Sequence, residues 1–350
     1  MKVVQFIGSR ELGGAERFFT RLSNSLPSGD LDCSALVARG SKLTTELDSV
    51  CEVPILSVFD PISQLLASRK LESLTPDIVQ SWMGRATRLT PKKRSYVHVA
   101  RLGGYYRTKH YQTADHLVGN TKGICDYLVR EGFDASKVSH ISNFVTPIDV
   151  DRNLARRQLC SELGISQSTK IIFSLGRLHQ NKGFDTLLYA LHRLSKICDI
   201  SNIRLVVAGD GALRSELEAM TSELDLDDYV VWLGWRDDVA QLMASSDLFV
   251  CPSRHEPLGN VILEAWSQRL PVISTANQGA CEIAQHEQSA IIVPVNDSEA
   301  LGNAIQSWFV SDDYPTYAKL AAEGYKVLQA NFSESIICGS YKSLYNSLIS

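Results

Sequence analysis

Two glutamates and the start of a helix occur together within residues 249–266. Glu256 lies in a polar loop after an apolar strand, and Glu264 lies eight residues later, just over one turn into a helix that begins near Asn260. The N–H groups at a helix start have no partner inside the helix and form a seat for an anion. Here they belong to Leu258, Gly259, Asn260 and Val261. We expect this segment to bind an extended ligand with hydroxyls at both ends and phosphate in the middle, such as a nucleotide sugar.

Two cations form a second group of side chains suited to chemistry. Arg177 and Lys182 lie five residues apart in the loop that leaves the apolar strand 170–175. Arginine can hold a diphosphate with its planar guanidinium, and lysine acts on it as a point charge. Taken alone, these two cations have an alternative interpretation, which is an ordinary solvent-exposed loop without a ligand. The loop of Glu256 leaves the same predicted sheet at the carboxyl ends of its strands, where open α/β sheets bind ligands.

The first strand, at residues 2–7, runs into a glycine-rich turn that includes Gly13 and Gly14, and a helix follows to about Leu26. Such a turn lets backbone approach a phosphate closely. Its spacing matches neither the GxGxxG dinucleotide fingerprint nor the P-loop, which requires a lysine. A tight turn into a helix is an equally good interpretation of this segment alone.

Apolar runs alternate with helical patterns along all 350 residues. Near-continuous apolar strands in such an alternation indicate an α/β fold with parallel sheets covered on both faces. The length suits two domains, which we place at 1–145 and 146–333, with an interdomain linker near 143–150. Helical apolar spacing near the end predicts that 334–350 packs back onto the first domain. The third strand of that domain is expected at Ile55–Val58.

The composition of the chain limits its binding partners and its cellular compartment. The net charge of −4 gives no general attraction to nucleic acid. The eight cysteines are scattered without metal-ligand spacing, which indicates a reduced, cytoplasmic protein. No apolar run is long enough for a transmembrane helix, and peripheral contact with the inner face of a membrane stays open. A cationic stretch from Arg85 to Lys109, interleaved with tyrosines, indicates either an acceptor or anionic-surface site or a solvated face.

Four motifs, in this order and at these separations, resemble the retaining glycosyltransferases of family 4. They are Gly13-Gly14-Ala15-Glu16, the pair Gly176-Arg177 and Lys182-Gly183, Gly209-Asp210-Gly211, and Glu256 followed after seven residues by Glu264. The resemblance covers nearly the whole chain. It implies the GT-B fold, with two facing Rossmann-like domains and a C-terminal helix that crosses back. The segment around Glu256 is also similar to bacterial members that build lipopolysaccharide or other envelope glycans.

The resemblance implies a role for each motif. Arg177 and Lys182 would hold the donor diphosphate and stabilise charge on the leaving group. Glu256 would bind hydroxyls of the transferred sugar and act with these cations in catalysis, and Glu264 would bind the ribose. The remaining donor contacts would come from Gly13, Gly14, Arg236, Leu258, Gly259 and Asn260. The resemblance also implies transfer without a metal. The three Asp-x-Asp triplets lie in polar turns or the linker with no companion ligand, and we interpret them as chance occurrences.

The acceptor side departs from the family pattern. Many relatives carry histidines after the fourth and fifth strands, where this chain has Gln80-Ser81-Trp82 and Arg101-Leu102. We place Trp82, Arg101 and Tyr105 on the acceptor side, with Arg101 facing an anionic acceptor or a donor phosphate. His98 lies mid-strand and is expected to be buried packing. The acceptor itself would be a glycan or a lipid-linked glycan.

Two other classes of function compete with sugar transfer. The first is a different chemistry on the same fold, such as a sugar-nucleotide epimerase or a phosphorylase, although no extra domain is present to house a pyridoxal-phosphate lysine. The second is a non-catalytic binding module, against which the presence of Arg177, Lys182, Glu256 and Glu264 argues. An NAD-dependent dehydrogenase is disfavoured by the missing fingerprint.

Overall fold

The structure is a computed structural model that describes residues 1–11, 13–57, 59–310 and 314–350. The chain divides into two compact units. Unit 1 consists of Met1–Phe144 and Glu334–Ser350, and unit 2 consists of Val145–Ser333. Within the described residues, no helix is both long and apolar enough to cross a bilayer.

Unit 1 is built on a parallel sheet of seven strands in its described part. These are β1 (Lys2–Ile7), β2 (Asp32–Ala38), β3 (Val50–Val53), β4 (Ile78–Trp82), β5 (Val97–Leu102), β6 (His116–Gly119) and β7 (Val138–His140). Their order is β3-β2-β1-β4-β5-β6-β7, so the winding direction reverses between β1 and β4. This is the doubly wound arrangement that the alternating apolar runs predict.

The third strand lies earlier than predicted. β3 ends at Val53, whereas residues 54–57 are irregular. Pro54 accounts for the difference, because proline has no N–H to continue the ladder of backbone hydrogen bonds. The prediction of a strand at Ile55–Val58 is therefore wrong for residues 55–57, and Val58 lies outside the described residues.

Helices connect the strands of unit 1, and their starts follow local chemistry. They are α1 (Gly14–Ser25), α2 (Pro61–Leu74), α3 (Met83–Leu89) and α4 (Lys122–Arg130). The Asp60 carboxylate accepts hydrogen bonds from the N–H groups of Ile62 and Ser63, and Pro61 occupies the first turn of α2, where its missing N–H costs nothing. Thr121 caps α4 in the same way through the N–H of Ile124.

Unit 2 repeats the design with a parallel sheet of six described strands. These are β8 (Lys170–Leu175), β9 (Ile203–Ala208), β10 (Val230–Gly234), β11 (Leu248–Cys251), β12 (Val272–Thr275) and β13 (Ile291–Val293). The helices are α5 (Arg152–Leu163), α6 (Phe184–Ile197), α7 (Arg214–Glu223), α8 (Val239–Ala244), α9 (Asn260–Ser267), α10 (Gln278–Ile283), α11 (Ser298–Val310) and α12 (Tyr314–Asn331). The strand order is β10-β9-β8-β11-β12-β13.

Neighbouring residues of the central strands of unit 2 belong to opposite cores. Ile172 and Val250 pack in one buried cluster, and Phe173 and Phe249 pack in another with ring centroids 6.1 Å apart. Because successive side chains of a strand point to opposite faces, this sheet is covered on both sides. The predicted α/β class with two doubly wound parallel sheets is confirmed.

The last helix, α13 (Glu334–Ile349), belongs to unit 1. Tyr345 is fully buried there, and its hydroxyl donates to Gln80 Oε1 at 2.9 Å and accepts from Gln5 Nε2 at 3.0 Å. Tyr341 is also fully buried, and its hydroxyl accepts from Arg101 Nε at 2.9 Å. Buried polar groups are costly unless they are paired, so these bonds fix the helix in one register on the sheet.

The stability of the protein should depend on pH through His98, which lies in β5. This side chain is fully buried, with Nε2 2.8 Å from Ser81 Oγ. Burial, followed by the charge of Arg94, lowers the pKa of His98 to about 3. Below about pH 6.5 the unfolded chain binds a proton that the folded chain does not, so stability falls as the pH drops towards 3. We expect His98→Gln to flatten this slope by roughly 1 kcal/mol per pH unit.

The measurement is the free energy of unfolding by urea at pH 7, 6 and 5. The exposed His140, replaced by glutamine, is the matched control and should keep the wild-type slope. An unchanged slope in His98→Gln would show that His98 is protonated in the folded protein.

Candidate active site

The candidate site lies where the winding of the unit 2 sheet reverses. β8 and β11 are neighbours, with earlier strands on one side and later strands on the other, and ligands bind at such switch points in open α/β sheets. The loop of residues 176–183 follows β8, and the loop of residues 252–259 follows β11. Ser174 Oγ donates to the carbonyl of Val250 at 2.8 Å, which joins the two strands just before these loops.

Lys182 and Glu256 form a direct ion pair across the two loops, between Nζ and Oε2. Their side chains are only 22% and 15% exposed. The stem of Lys182 lies over Gly176, where a Cβ would come within 3.3 Å of it. Because a partly buried charge is costly without a partner, each group holds the other in place. The two residues that were assigned to diphosphate and to sugar therefore meet at one point.

Backbone packing fixes the spacing between the loops. Gly183 has φ +66°, and a Cβ there would lie 2.1 Å from the carbonyl oxygen of Pro252. The N–H groups of Arg254 and His255 both donate to the carbonyl of Asn181, at 2.8 and 3.1 Å. Only glycine fits this contact, so the position of Glu256 relative to Lys182 is set by the main chain.

A forked ion pair between Arg254 and Asp185 is a second contact between the loop after β11 and the segment after β8. It was not predicted from the sequence. The two terminal guanidinium nitrogens donate to Oδ1 at 2.7 Å and to Oδ2 at 2.5 Å. Burial raises the pKa of Asp185, but the hydrogen bonds and charge of Arg254 outweigh it and hold the pKa below its ordinary value. Two features of the sequence pointed to this pair, namely an arginine two residues before Glu256 and an aspartate in the first turn of α6.

The helix start faces the same edge of the sheet. α9 begins at Asn260 after Gly259, which has φ +79°. Among the described residues, the N–H groups of Leu258, Gly259 and Val261 donate to no protein acceptor. Gly279 packs against this turn, because a Cβ there would lie 2.4 Å from the Leu258 carbonyl carbon. These N–H groups lie at the positive end of the helix, where the anion seat was predicted, and anion binding there stays a prediction.

Glu264 lies in α9 and is partly buried, one turn after the helix start, as predicted. Arg177 is exposed and forms no hydrogen bond or ion pair with any described residue. Its neighbour Leu178 is buried, donates its N–H to the Asp210 carbonyl at 2.9 Å, and accepts from Leu213 N–H at 3.1 Å. The backbone of Arg177 is therefore anchored while its charged end is available.

Arg236 does not join this group. It follows β10, the edge strand, and its guanidinium donates to Asp238 at 2.6 and 2.7 Å and to Glu162 at 2.5 and 3.3 Å. Both terminal nitrogens and Nε are thus engaged with carboxylates of unit 2. To contact the nucleotide as predicted, Arg236 would have to give up some of these bonds.

Unit 1 places the predicted acceptor residues in two different environments. Trp82 and Arg101 are 1% and 3% exposed; Trp82 Nε1 donates to Gln5 at 2.7 Å, and the guanidinium of Arg101 lies 4.4 Å from the Trp82 ring. Both side chains pack in the interior of unit 1. Their burial argues against the predicted contact with an acceptor. Tyr105 is 39% exposed and stacks edgewise on Tyr127.

Gly13 and Gly14 lie at the start of α1. Gly13 precedes the helix, and its carbonyl accepts from Arg17 N–H at 2.9 Å. A Cβ at Gly14 would meet nothing within 4 Å, so packing does not require glycine there. Close approach of a ligand to this backbone stays a prediction for both positions.

Comparison with known proteins identifies the family. Residues 156–327 match the family described as "Glycosyl transferases group 1". The chain is 30% identical, over 98% of both sequences, to the lipopolysaccharide core biosynthesis glycosyltransferase LpsE of Rhizobium meliloti (strain 1021). The chain belongs to the group 1 glycosyltransferases. It is also 30% identical to LpsD of the same organism, over 99% of this chain and 98% of that protein.

Solved glycosyltransferase structures share the fold of this family member. A glycosyltransferase from Rickettsia africae ESF-5 superposes with a TM-score of 0.86 at 19% identity, covering 100% of this chain and 98% of the other. Anabaena Alr3699/HepE in complex with UDP and glucose gives 0.81 at 20% identity, covering 99% and 100%. The predicted GT-B fold is confirmed. The segment that matches the family contains every loop of the candidate site.

Loss of the fork between Arg254 and Asp185 should loosen the site of this glycosyltransferase. We expect Arg254→Met to lower the free energy of unfolding by about 1–3 kcal/mol, because Asp185 loses two charge-assisted bonds. Asp185→Asn combined with it should cost less than the sum of the two single changes. The lowered pKa means that the stabilisation is present at neutral pH and is lost as the pH falls through that pKa.

The exposed pair Arg193–Glu299 is the matched control for this double-mutant cycle, measured by urea unfolding. Truncation of Arg193 should change stability little, because exposed ion pairs contribute little. If truncation of Arg254 and truncation of Arg193 lowered the free energy of unfolding by equal and small amounts, a structural role for the fork would be contradicted.

Proposed function

We propose that this glycosyltransferase moves a sugar, with retention of anomeric configuration, from a nucleotide-diphosphate sugar to a glycan or lipid-linked acceptor. The observation that carries the proposal is the ion pair between Lys182 and Glu256, which joins the loop that carries the exposed Arg177 to the loop that leads into α9. The names of LpsE and LpsD support lipopolysaccharide or other envelope polysaccharide as the product. Such synthesis would take place in the cytoplasm at the inner face of the membrane.

The positive groups of the site suit a departing nucleoside diphosphate. Arg177 and Lys182 would bind the diphosphate, with the N–H groups of Leu258, Gly259 and Asn260 donating to its oxygens. The charge on these oxygens grows as the bond to the sugar breaks, so donors placed in advance stabilise the transition state more than the bound substrate. Arg177 has no protein anion to give up in this step, since no described residue pairs with it.

Glu256 would bind hydroxyls of the transferred sugar. Its contact with Lys182 supports a position of the sugar next to the diphosphate, because one lysine would then serve both. Donor phosphate would draw Lys182 partly away from Glu256, and the carboxylate would then accept hydrogen bonds from the sugar. Glu264, one turn into α9, would bind the ribose hydroxyls.

Retention would follow from attack on the face from which the diphosphate leaves. The acceptor oxygen forms a bond to the anomeric carbon, the bond from that carbon to the phosphate oxygen breaks, and the acceptor proton passes to the phosphate. The reaction would need no metal, because Arg177 and Lys182 supply positive charge. Within the described residues, no group of three or more His, Cys, Asp or Glu side chains is arranged to hold a metal ion.

A panel of UDP-, GDP- and ADP-sugars tests the donor class. One of them should raise the thermal unfolding midpoint and be slowly hydrolysed. Glu256→Gln should lower transfer by at least about a hundredfold, because the sugar loses its contact with a carboxylate, while the nucleoside diphosphate still binds through Arg177 and Lys182. The absence of stabilisation or hydrolysis with every donor would remove the proposed function.

The two cations should behave differently when truncated. Arg177→Met should lower kcat/KM about a hundredfold or more without loss of stability, since only the donor uses its charge. Lys182→Met should lower both kcat/KM and stability, because it leaves Glu256 partly buried and unpaired. The double variant Lys182→Met with Glu256→Gln should recover part of the stability. Equal stability losses in the two single variants would contradict this assignment.

Stereochemistry and metal dependence are measured on the product. Proton NMR of the product from an α-linked donor should show an α-linkage, and transfer should continue at the same rate in EDTA. An inverted linkage would refute retention, and a loss of activity restored by a divalent cation would refute the metal-independent mechanism.

A further inference from the structure

A pocket of about 220 Å³ lies in unit 2, away from the candidate active site. Asp247 and Pro271, which directly precede β11 and β12, line this pocket. It therefore lies at the amino ends of these strands, whereas Lys182 and Glu256 lie in loops that follow the carboxyl ends of β8 and β11. Arg269, two residues after the end of α9, also lines the pocket. The pocket and the candidate active site thus lie at opposite ends of this helix.

Aromatic and small side chains form the walls of the pocket. Trp308 of α11 and Tyr317 of α12 are 9% and 8% exposed and belong to one buried cluster. Ala318, Ala321 and Ala322 continue the wall along α12. Apolar walls with a few polar groups are typical of small-molecule sites, and a volume this modest suits a ligand smaller than a drug. We call this space the amino-edge pocket.

Two arginines at the amino-edge pocket have positive charge to offer. Arg152 Nη1 donates to the carbonyl of Gln268 at 2.6 Å, and its other nitrogens form no hydrogen bond with a described residue. The guanidinium of Arg269 lies 4.2 Å from the centroid of the Tyr325 ring. In the described part of the chain this guanidinium forms no hydrogen bond or ion pair. A guanidinium stacked on a ring keeps its N–H groups available for an anion.

The acid at the amino-edge pocket already has protein partners. Asp247 Oδ2 accepts from Arg156 Nη1 at 3.0 Å and from the N–H of Ile171 at 2.8 Å. The neighbouring Ser246 hydroxyl donates to the carbonyl of Leu242 at 2.7 Å. Among the described residues that line the pocket, the unpaired charges are therefore both positive, and they favour an anionic ligand.

The backbone conformation of Arg269 is strained. Its φ is +52°, and its N–H donates to the Trp266 carbonyl at 2.9 Å, at the turn that ends α9. Helices that end in this way usually have glycine at the left-handed position, because other side chains are strained there. Asp225 ends α7 in the same way with φ +56°, but aspartate tolerates this conformation better. Strain at a residue that holds an unpaired charge beside a pocket points to a ligand.

We propose that the amino-edge pocket binds a small organic anion with a flat apolar body, such as an aromatic carboxylate or an aryl phosphate. Trp308 and Tyr317 contact the flat body, and Arg152 and Arg269 hold the anionic group through charge-assisted hydrogen bonds. A neutral aromatic molecule leaves both charges unused, and inorganic phosphate leaves the aromatic walls empty. The occupant is not a substrate of the candidate active site, because it binds at the other end of the strands.

Phenyl phosphate and benzoate are the probes, observed by NMR with the full chain and no sugar donor. At least one of them should bind, and comparison of the two identifies the preferred anionic group. Benzyl alcohol and inorganic phosphate should compete with the probe only at about tenfold higher concentration or more, because each lacks one half of the contacts. UDP should not displace the probe, since the proposed donor site is elsewhere.

Arg269→Gly separates a role in binding from a role in stability. It should weaken probe binding about tenfold or more, and it should not lower the thermal midpoint, because glycine relieves the strained backbone. Asp225→Gly is the matched control, which gives the same relief and should leave probe binding unchanged. Arg152→Met should also weaken binding, whereas Arg157→Met, exposed on the same helix, should not.

The proposal fails if neither probe binds, if benzyl alcohol or inorganic phosphate binds as tightly as the probes, or if UDP displaces them. It also fails if Arg269→Gly keeps the wild-type affinity, or if Asp225→Gly loses binding to the same extent. Donor stabilisation and hydrolysis are measured without these anions, so a negative result here leaves the proposed function unaffected.

Discussion

The candidate site depends on the fixed distance between two loops that leave neighbouring strands of the unit 2 sheet. At the contact of Gly183 with the Pro252 carbonyl there is no space for a side chain, so the backbones touch. That contact sets where Lys182 and Glu256 point, and the Arg254–Asp185 fork closes the loops from outside. An opposite-charge pair in a partly buried place requires such support, since a small displacement would leave two charges poorly solvated and unpaired.

Much of the fold could be read from the sequence, because short apolar strands alternating with helices leave few arrangements open. The start of α9 at Asn260 was predicted from a glycine turn after a buried strand. The third strand was misplaced, since the apolar run around Ile55 resembled a strand while Pro54 had already ended it. An apolar pattern reports burial, and the main-chain hydrogen bonds decide which buried segments become strands.

Side-chain pairing was less predictable than secondary structure. Arg254 and Asp185 are 69 residues apart in the chain, and no local pattern reports which of several charged residues will meet across loops. Arg101 misled for another reason, because a charged side chain at a strand end is expected to face solvent or ligand. It is instead buried, where the aromatic faces of Trp82 and Phe18 and the hydroxyl of Tyr341 replace water around its charge.

The position of α13 has a consequence for synthesis of the chain. Tyr341 and Tyr345 complete the core of unit 1, yet they are translated after all of unit 2. While the ribosome is still making residues 145–333, Gln5, Gln80 and Arg101 lack the hydroxyls that pair with them. All residues of unit 2 are translated before α13, so unit 2 does not have to wait for unit 1 to be complete before it folds.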